Sequence, residues 1–280
     1  MTLKDEVVVV TGATRGLGRA LVTNLVEAGS KVVVVGRSTN SDPHKFLPGT
    51  LEEVEADLKA RGGDVLTVRA DLSKLEDTQR VVDETLAWAG RCDVLIHNAS
   101  YVTPGGFFEV PVSRWNVGWN ITLLSSVIMM QGFLPGMLER EHGRVLFVGA
   151  EAAVYTTEVP AGWRARPDGV GTPLLYPVVK AGLERLSRGI HDAIGGHGVP
   201  FINLRAGRIS SEAFEVMTTK MGLSPDPARV HTPDEIAKGT LWLLEHAEEY
   251  DGRIVDFRFL EDQHAIPLKL DHSKEVWEEV

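Results

Sequence analysis

Two groups of residues in this chain have types and spacings that do chemistry. Tyr176 and Lys180 lie four apart, which puts them on one face of a helix. A tyrosine phenol ordinarily titrates near pH ~10 and is a poor base at neutral pH. A nearby ammonium favours the phenolate and is expected to lower that value. Tyr176 then exchanges a proton with a carbonyl or alcohol oxygen. The same spacing is common on helices with no such role, so the pair needs support from the rest of the chain. The second group is Thr11-Gly12-Ala13-Thr14-Arg15-Gly16-Leu17-Gly18. Its glycines allow a sharp turn and a close approach of backbone to ligand. If a helix opens at Gly16, its first N–H groups and its positive dipole end face an anion.

The elements around both groups suit these tasks. Val7 to Val10 is an apolar run, and Leu21, Val22, Leu25 and Val26 recur at helical spacing after the turn. Strand, glycine turn and helix in that order form a phosphate cradle. A second strand, Lys31–Val35, ends at Gly36-Arg37-Ser38. The polar stretch from Thr39 to Thr50, with Pro43, Pro48 and Gly49, reads as a long loop. Helical spacing follows over Leu51–Arg61, and Asp64–Arg69 is a third strand. Ser73 and Glu76 have the spacing of a capping box for a helix ending near Ala89. Asp93–His97 is a fourth strand, and a long helical pattern runs from Ser113 to about Glu141 through Asn120. Arg144–Val148 and Pro200–Arg205 are strands on either side of the helix Leu174–Ile194. Residues from Ser210 to Ala228 read as a helical flap. Thr232-Pro233-Asp234-Glu235 opens another helix, with a capping threonine, a proline at the first position and acids in the first turn. A last strand is expected at Arg253–Phe257, and nothing places the tail.

Strands alternating with helices imply a mostly parallel sheet covered on both faces. The expectation is a single α/β domain over residues 1–260, with an insertion at 151–173, a flap at 210–230 and a tail at 261–280. Its core is a Rossmann-type doubly wound sheet of about seven strands.

Composition bounds the partners. The 280 residues carry a net charge of −10, which argues against general nucleic-acid binding and does not favour anionic membrane surfaces. The only cysteine, Cys92, excludes a disulfide framework and a thiolate zinc cluster, and no metal site is expected. No uninterrupted apolar stretch is expected to span a bilayer. The start of the chain reaches a strand too soon for a signal peptide. The expected location is the cytoplasm.

Taken together, the chain resembles the short-chain dehydrogenase/reductase superfamily from Val7 to about Phe257. The residues that carry the resemblance are Thr11-Gly12-x-x-x-Gly16-x-Gly18, Asp71-Leu72, Asn98-Ala99, Asn120 and Tyr176-x-x-x-Lys180. The loop after Arg37 and the stretch Leu47-Pro48-Gly49-Thr50 resemble the hydroxysteroid-dehydrogenase-like subgroup more loosely. The resemblance implies an oxidoreductase that interconverts an alcohol and a carbonyl on a small molecule. Tyr176, Lys180 and Asn120 would be its catalytic residues. Lys180 would also hold the nicotinamide ribose, and Asn120 would order a water in a proton relay. Gly12, Thr14, Arg15, Gly16, Leu17 and Gly18 would cradle the cofactor. Asp71 and Leu72 would hold the adenine, and Asn98 and Ala99 would line the cofactor. Ile209 and Ser211 would meet its carboxamide and phosphate, although Ala206 replaces the proline usual before them. A homodimer or homotetramer built through the helices of Asn120 and Tyr176 is also implied.

NADP(H) is expected rather than NAD(H). An acid at the end of the second strand usually binds the adenosine ribose hydroxyls. Here the chain has Arg37 and Ser38 instead. Arg37 can pair bidentately with a 2′-phosphate, and Arg15 adds a second cation.

One position departs from the pattern. Where the family carries a serine after the fifth strand, this chain has Gly149-Ala150-Glu151. The separation from Ala150 to Tyr176 is also longer than in ordinary members. Losing a donor to a developing oxyanion costs about 10²–10³ in rate. Thr156, Thr157 or Thr172 replaces the hydroxyl, or the substrate brings its own polar group, or efficient carbonyl reduction is lost. Trp163, Arg164 and Arg166 in the insertion, and Phe214, Met217 and Met221 in the flap, are candidate pocket walls. Two other functions stay open: an NADP-binding sensor or scaffold, and a non-redox dehydratase or isomerase.

Overall fold

The computed structural model describes residues 2–153, 174–221 and 230–264. The elements in chain order begin with β1 (Val7–Thr11), α1 (Gly16–Glu27), β2 (Lys31–Gly36), α2 (Leu51–Ala60), β3 (Val65–Arg69), α3 (Leu75–Ala89) and β4 (Val94–His97). Then come α4 (Val112–Trp119), a π turn (Asn120–Leu124), α5 (Ser125–Glu139), β5 (Arg144–Gly149), α6 (Leu175–Ile194) and β6 (Phe201–Arg205). The chain continues through β7 (Arg208–Ile209), α7 (Glu212–Met221), β8 (Val230–His231), α8 (Pro233–Glu245), β9 (Ile254–Asp256) and α9 (Phe257–His264).

Seven strands form one parallel sheet in the order β3-β2-β1-β4-β5-β6-β9. This is the doubly wound α/β architecture. The valine runs of β1 and β2 do not alternate with polar residues because both faces of the sheet are covered. Val8, Val10, Val32 and Val34 join one apolar layer with Leu21 and Leu25 of α1 and Leu243 and Leu244 of α8. Val9, Val33 and Val35 join the other, with Val81 and Val82 of α3 and Met129, Phe133 and Met137 of α5.

The strand order reverses between β1 and β4, and the crevice beyond their C-terminal ends is where such sheets take ligands. Thr11 ends β1, and Asn98 follows β4. Across this crevice Thr11 Oγ1 accepts the backbone N–H groups of Asn98 and Ala99, both at 3.0 Å.

Several local expectations change. Ser73 does not cap α3: Asp71 Oδ1 accepts its N–H at 3.1 Å and its hydroxyl at 2.8 Å, and the helix begins after Lys74. The long helical pattern through Asn120 is interrupted by the π turn. The run Val112–Glu139 is long and apolar enough to cross a bilayer, contrary to the expectation that no such stretch exists. In this fold half of its most apolar window is buried, with Met129, Phe133 and Met137 in the core. The last strand stops at Asp256, and α9 takes up Phe257 and the start of the tail. Residues 154–173, 222–229 and 265–280, including Thr156, Thr157, Trp163, Arg164, Arg166 and Thr172, lie outside the described residues.

Candidate active site

The glycine turn is built by close approach. Gly12 adopts φ +68° and Gly16 φ +50°, conformations that disfavour any side chain. A Cβ at Gly18 would collide with the Gly12 carbonyl and would stand 2.7 Å from Asn98 Nδ2. Asn98 uses that amide nitrogen to donate to the carbonyls of Thr11 at 2.8 Å and Gly12 at 3.2 Å. It therefore clamps the turn across the crevice. The helix it feeds has no side-chain cap and no acid in its first turn. Its N-terminal N–H groups are thus left for an anion.

The end of β2 is packed onto the same turn. The Thr14 methyl stands 2.5 Å from where a Gly36 Cβ would be, so glycine is needed there. This contact delivers Arg37 and Ser38 to the crevice. Arg15 Nη2 donates to Ser38 Oγ at 2.9 Å. Burial holds the Arg15 guanidinium below its ordinary value; Arg37 pushes the same way, and Glu212 opposes them. Two cations thus share one corner. Arg37 and Asp71 line two hollows beside it. Leu72 is buried behind Asp71.

On the other side of the crevice, α6 lies close against α4 and the π turn. A Cβ at Gly118 would stand 2.5 Å from Leu175, and one at Gly182 3.0 Å from Leu123. These contacts set Tyr176 and Lys180 beside the element that carries Asn120. A π turn replaces part of a helical ladder and recurs at functional sites. Here Asn120 Nδ2 donates to the Ser73 carbonyl at 2.8 Å, tying α4 to the loop after β3.

Lys180 is 2% exposed, and its Nζ donates to the Val148 carbonyl at 2.6 Å. Nζ lies 5.8 Å from the centre of the Tyr176 ring. Burial lowers Lys180 to about 8, with Glu184 opposing. Burial raises Tyr176 to about 12. The expectation that the ammonium lowers the phenol is thus reversed. Lys180 spends its short contact on a carbonyl, and desolvation of the phenolate outweighs the more distant charge. Tyr176 is a protonated phenol throughout the neutral range.

The strand end without a serine is equally constrained. A side chain at Gly149 would collide with Asn203 Oδ1, so no hydroxyl fits there. Ala150 is 6% exposed and has no donor. Glu151 turns to Arg258 at 3.7 Å. His97 is buried and stacked on Phe147 at 5.1 Å. Burial pushes it down to about 3, so it stays neutral and serves packing. Ser211 accepts the Phe214 N–H at 3.3 Å at the start of α7, and its Cβ faces Gly16. Ile209 sits beside it in the short β7–β8 pair. Phe214 is half-buried, whereas the side chains of Met217 and Met221 lie outside the described residues.

The motif reading passed over two features. Glu184 lies four residues beyond Lys180 on the same helix and binds Arg205 through two contacts of 2.8 Å. The i,i+4 spacing from Lys180 was its visible signal. The second is His44, in the loop after β2, which no periodicity marks.

Known proteins share this fold. The family profile described as short chain dehydrogenase matches residues 6–222. An uncharacterised oxidoreductase of Bacillus subtilis, YvrD, is 29% identical over 199 residues, covering 71% of this chain and 66% of the relative. The crystal structure of L-sorbose reductase from Gluconobacter frateurii, complexed with NADPH and L-sorbose, superposes with a TM-score of 0.75 at 21% identity. That match covers 91% of this chain and 96% of the reductase. A 7α-hydroxysteroid dehydrogenase complexed with NADH and 7-oxo glycochenodeoxycholic acid has the same TM-score, 0.75, at 20% identity. It covers 91% of this chain and 93% of its own.

Proposed function

The chain belongs to the short-chain dehydrogenase family of oxidoreductases, and on that premise we propose that it is an NADP-dependent enzyme interconverting an alcohol and a carbonyl on a small molecule. The observation that carries this reading is the pairing of two corners of one crevice. At one, Arg15 and Arg37 stand where an acid would select NAD. At the other, a protonated Tyr176 stands beside a buried Lys180.

The donor set fits a phosphorylated dinucleotide. The uncapped start of α1 and the glycines Gly12, Gly16 and Gly18 receive the pyrophosphate, with Thr14 and Leu17 shaping the turn. Arg15, Arg37 and Ser38 receive the ribose 2′-phosphate. Asp71 and Leu72 flank the adenine, and Ala99, Ile209 and Ser211 line the rest. When bound, NADP(H) supplies the hydride. Tyr176 donates its phenolic proton to the carbonyl oxygen in the reducing direction. Lys180 holds the nicotinamide ribose, and Asn120 positions the water that returns the proton. The exposed apolar side chains Val112 and Trp119 on α4, Leu174 just before α6 and Val178 on α6 support self-association through these helices. A cytoplasmic homodimer or homotetramer is the assembly we propose.

The absence of a hydroxyl at Ala150 favours a second reading, in which the chain binds NADP without carbonyl turnover. One experiment separates the two. Nucleotide binding is followed by fluorescence with NADPH and NADH, and NADPH consumption is then followed on ketones, quinones and aldehydes. The expected result is tighter binding of NADPH and turnover that falls about 10²–10⁴-fold in Tyr176→Phe. Tight NADPH binding with no consumption on any substrate would favour the sensor or a non-redox enzyme.

A further inference from the structure

The loop from residue 39 to residue 50 is built as part of the cofactor crevice. Thr39 and Asp42 exchange backbone hydrogen bonds at 3.2 and 3.1 Å. Thr50 caps α2 in a capping box with Glu53 and donates its hydroxyl to Asn40 Oδ1 at 2.7 Å. Gly49, at φ +92°, brings the loop so close to the glycine turn that a side chain there would collide with the Thr14 carbonyl. The loop is thus seated on Thr14 and Arg15.

His44 is half-buried in the middle of this loop. Its Nδ1 accepts the backbone N–H groups of Phe46 at 3.2 Å and Leu47 at 3.1 Å. Two donors on Nδ1 fix the tautomer, so the ring proton sits on Nε2. His44 and Arg37 line the same hollow. Burial holds His44 below its ordinary value, and the charges of Arg15 and Arg37 push it the same way. The other charged groups around this hollow are Asp42, Lys45 and Asp71. Asp42 is paired with Arg69 at 2.6 Å, and Asp71 is engaged by Ser73.

We infer that His44 is a specificity-determining residue: with Arg15 and Arg37 it completes a seat for a phosphate monoester on the adenosine ribose, to which it presents a neutral Nε2–H donor. This rests on the NADP reading and deepens it. The two arginines supply charge, and the imidazole supplies a directed donor that the loop backbone holds in one tautomer. Lys45 already brings a further cation to this hollow beside Arg37, and a neutral imidazole adds a donor there without adding to the repulsion among the cations.

The test uses 2′,5′-ADP and 5′-AMP, which differ only in the phosphate at issue, with the full-length protein and isothermal titration. Two substitutions separate the donor from the loop. In His44→Asn, the side-chain carbonyl can still accept from Phe46 and Leu47, but the Nε2–H is gone. In His44→Gln, the amide nitrogen replaces Nε2–H. A hydrogen bond to a charged acceptor predicts that His44→Asn weakens 2′,5′-ADP about tenfold or more while leaving 5′-AMP unchanged. His44→Gln is expected to recover part of the loss. Wild-type discrimination in His44→Asn would overturn the assignment, as would equal weakening of both nucleotides, which would mark a purely structural loop residue. If the unaltered protein does not distinguish 2′,5′-ADP from 5′-AMP, the NADP reading itself fails, and His44 fails with it.

Discussion

Replacing Lys180 with methionine should abolish turnover and make the protein more stable at neutral pH. The ammonium is buried, and its titration falls from the ordinary 10.5 to about 8. That difference corresponds to about 3 kcal/mol of cost for holding the charge inside. Against this stands the hydrogen bond from Nζ to the Val148 carbonyl at 2.6 Å. Losing that donor costs about 1–3 kcal/mol. Glu184 is not stranded by the change, because Arg205 holds both of its oxygens at 2.8 Å. The net expectation is a gain on the order of 1 kcal/mol at pH 7. The pH dependence has a definite sign. Between about 8 and 10.5 the unfolded chain keeps a proton that the folded chain has released, so wild-type stability rises with pH across that window. The advantage of Lys180→Met should therefore shrink from pH 7 to pH 10 and then reverse. Urea unfolding without nucleotide, followed by tryptophan fluorescence at both pH values, reads this as a change of midpoint at constant slope. A variant less stable than wild type at pH 7, or a stability difference that does not change with pH, would refute the burial argument. Turnover should be lost at both pH values.

Two further outcomes follow from the same geometry. Gly18→Ala forces a Cβ onto the Gly12 carbonyl and against the Asn98 amide; overpacking of this kind costs about 1–3 kcal/mol, and displacing the turn should weaken NADPH at least about tenfold by fluorescence titration. Ala150→Ser places a hydroxyl at the end of β5, where Gly149 has no room for one. If the site reduces carbonyls without that donor, kcat should rise at least about tenfold, within the range a single oxyanion donor supplies. An unchanged kcat would mean that another group already donates to the reacting oxygen.

Much of this protein was legible in the sequence because its signals are local. Valine runs, glycine turns and helical spacing act within a few residues. The strand, glycine turn and helix of residues 7–27 and the capping threonine Thr232 could therefore be read directly, whereas the crevice between β1 and β4 depends on strand pairing far apart in the chain. The pairing of Tyr176 with Lys180 on α6 was equally visible. Where a local signal failed, a distant or competing contact had won. Ser73 has the spacing of a helix cap, yet it serves Asp71 instead. Asn120 sits in a helical pattern, yet the chain there forms a π turn, and its amide reaches back to Ser73.

The titration of the site was decided by tertiary structure alone. Four residues of spacing set Lys180 beside Tyr176, but they do not say whether the ammonium faces the phenol or the Val148 carbonyl, 32 residues away in the chain. Nor do they give the polarity of the surroundings. Spacing along a helix is a property of one segment. The cost of a buried charge belongs to every segment packed around it, and here that cost raised Tyr176 and lowered Lys180.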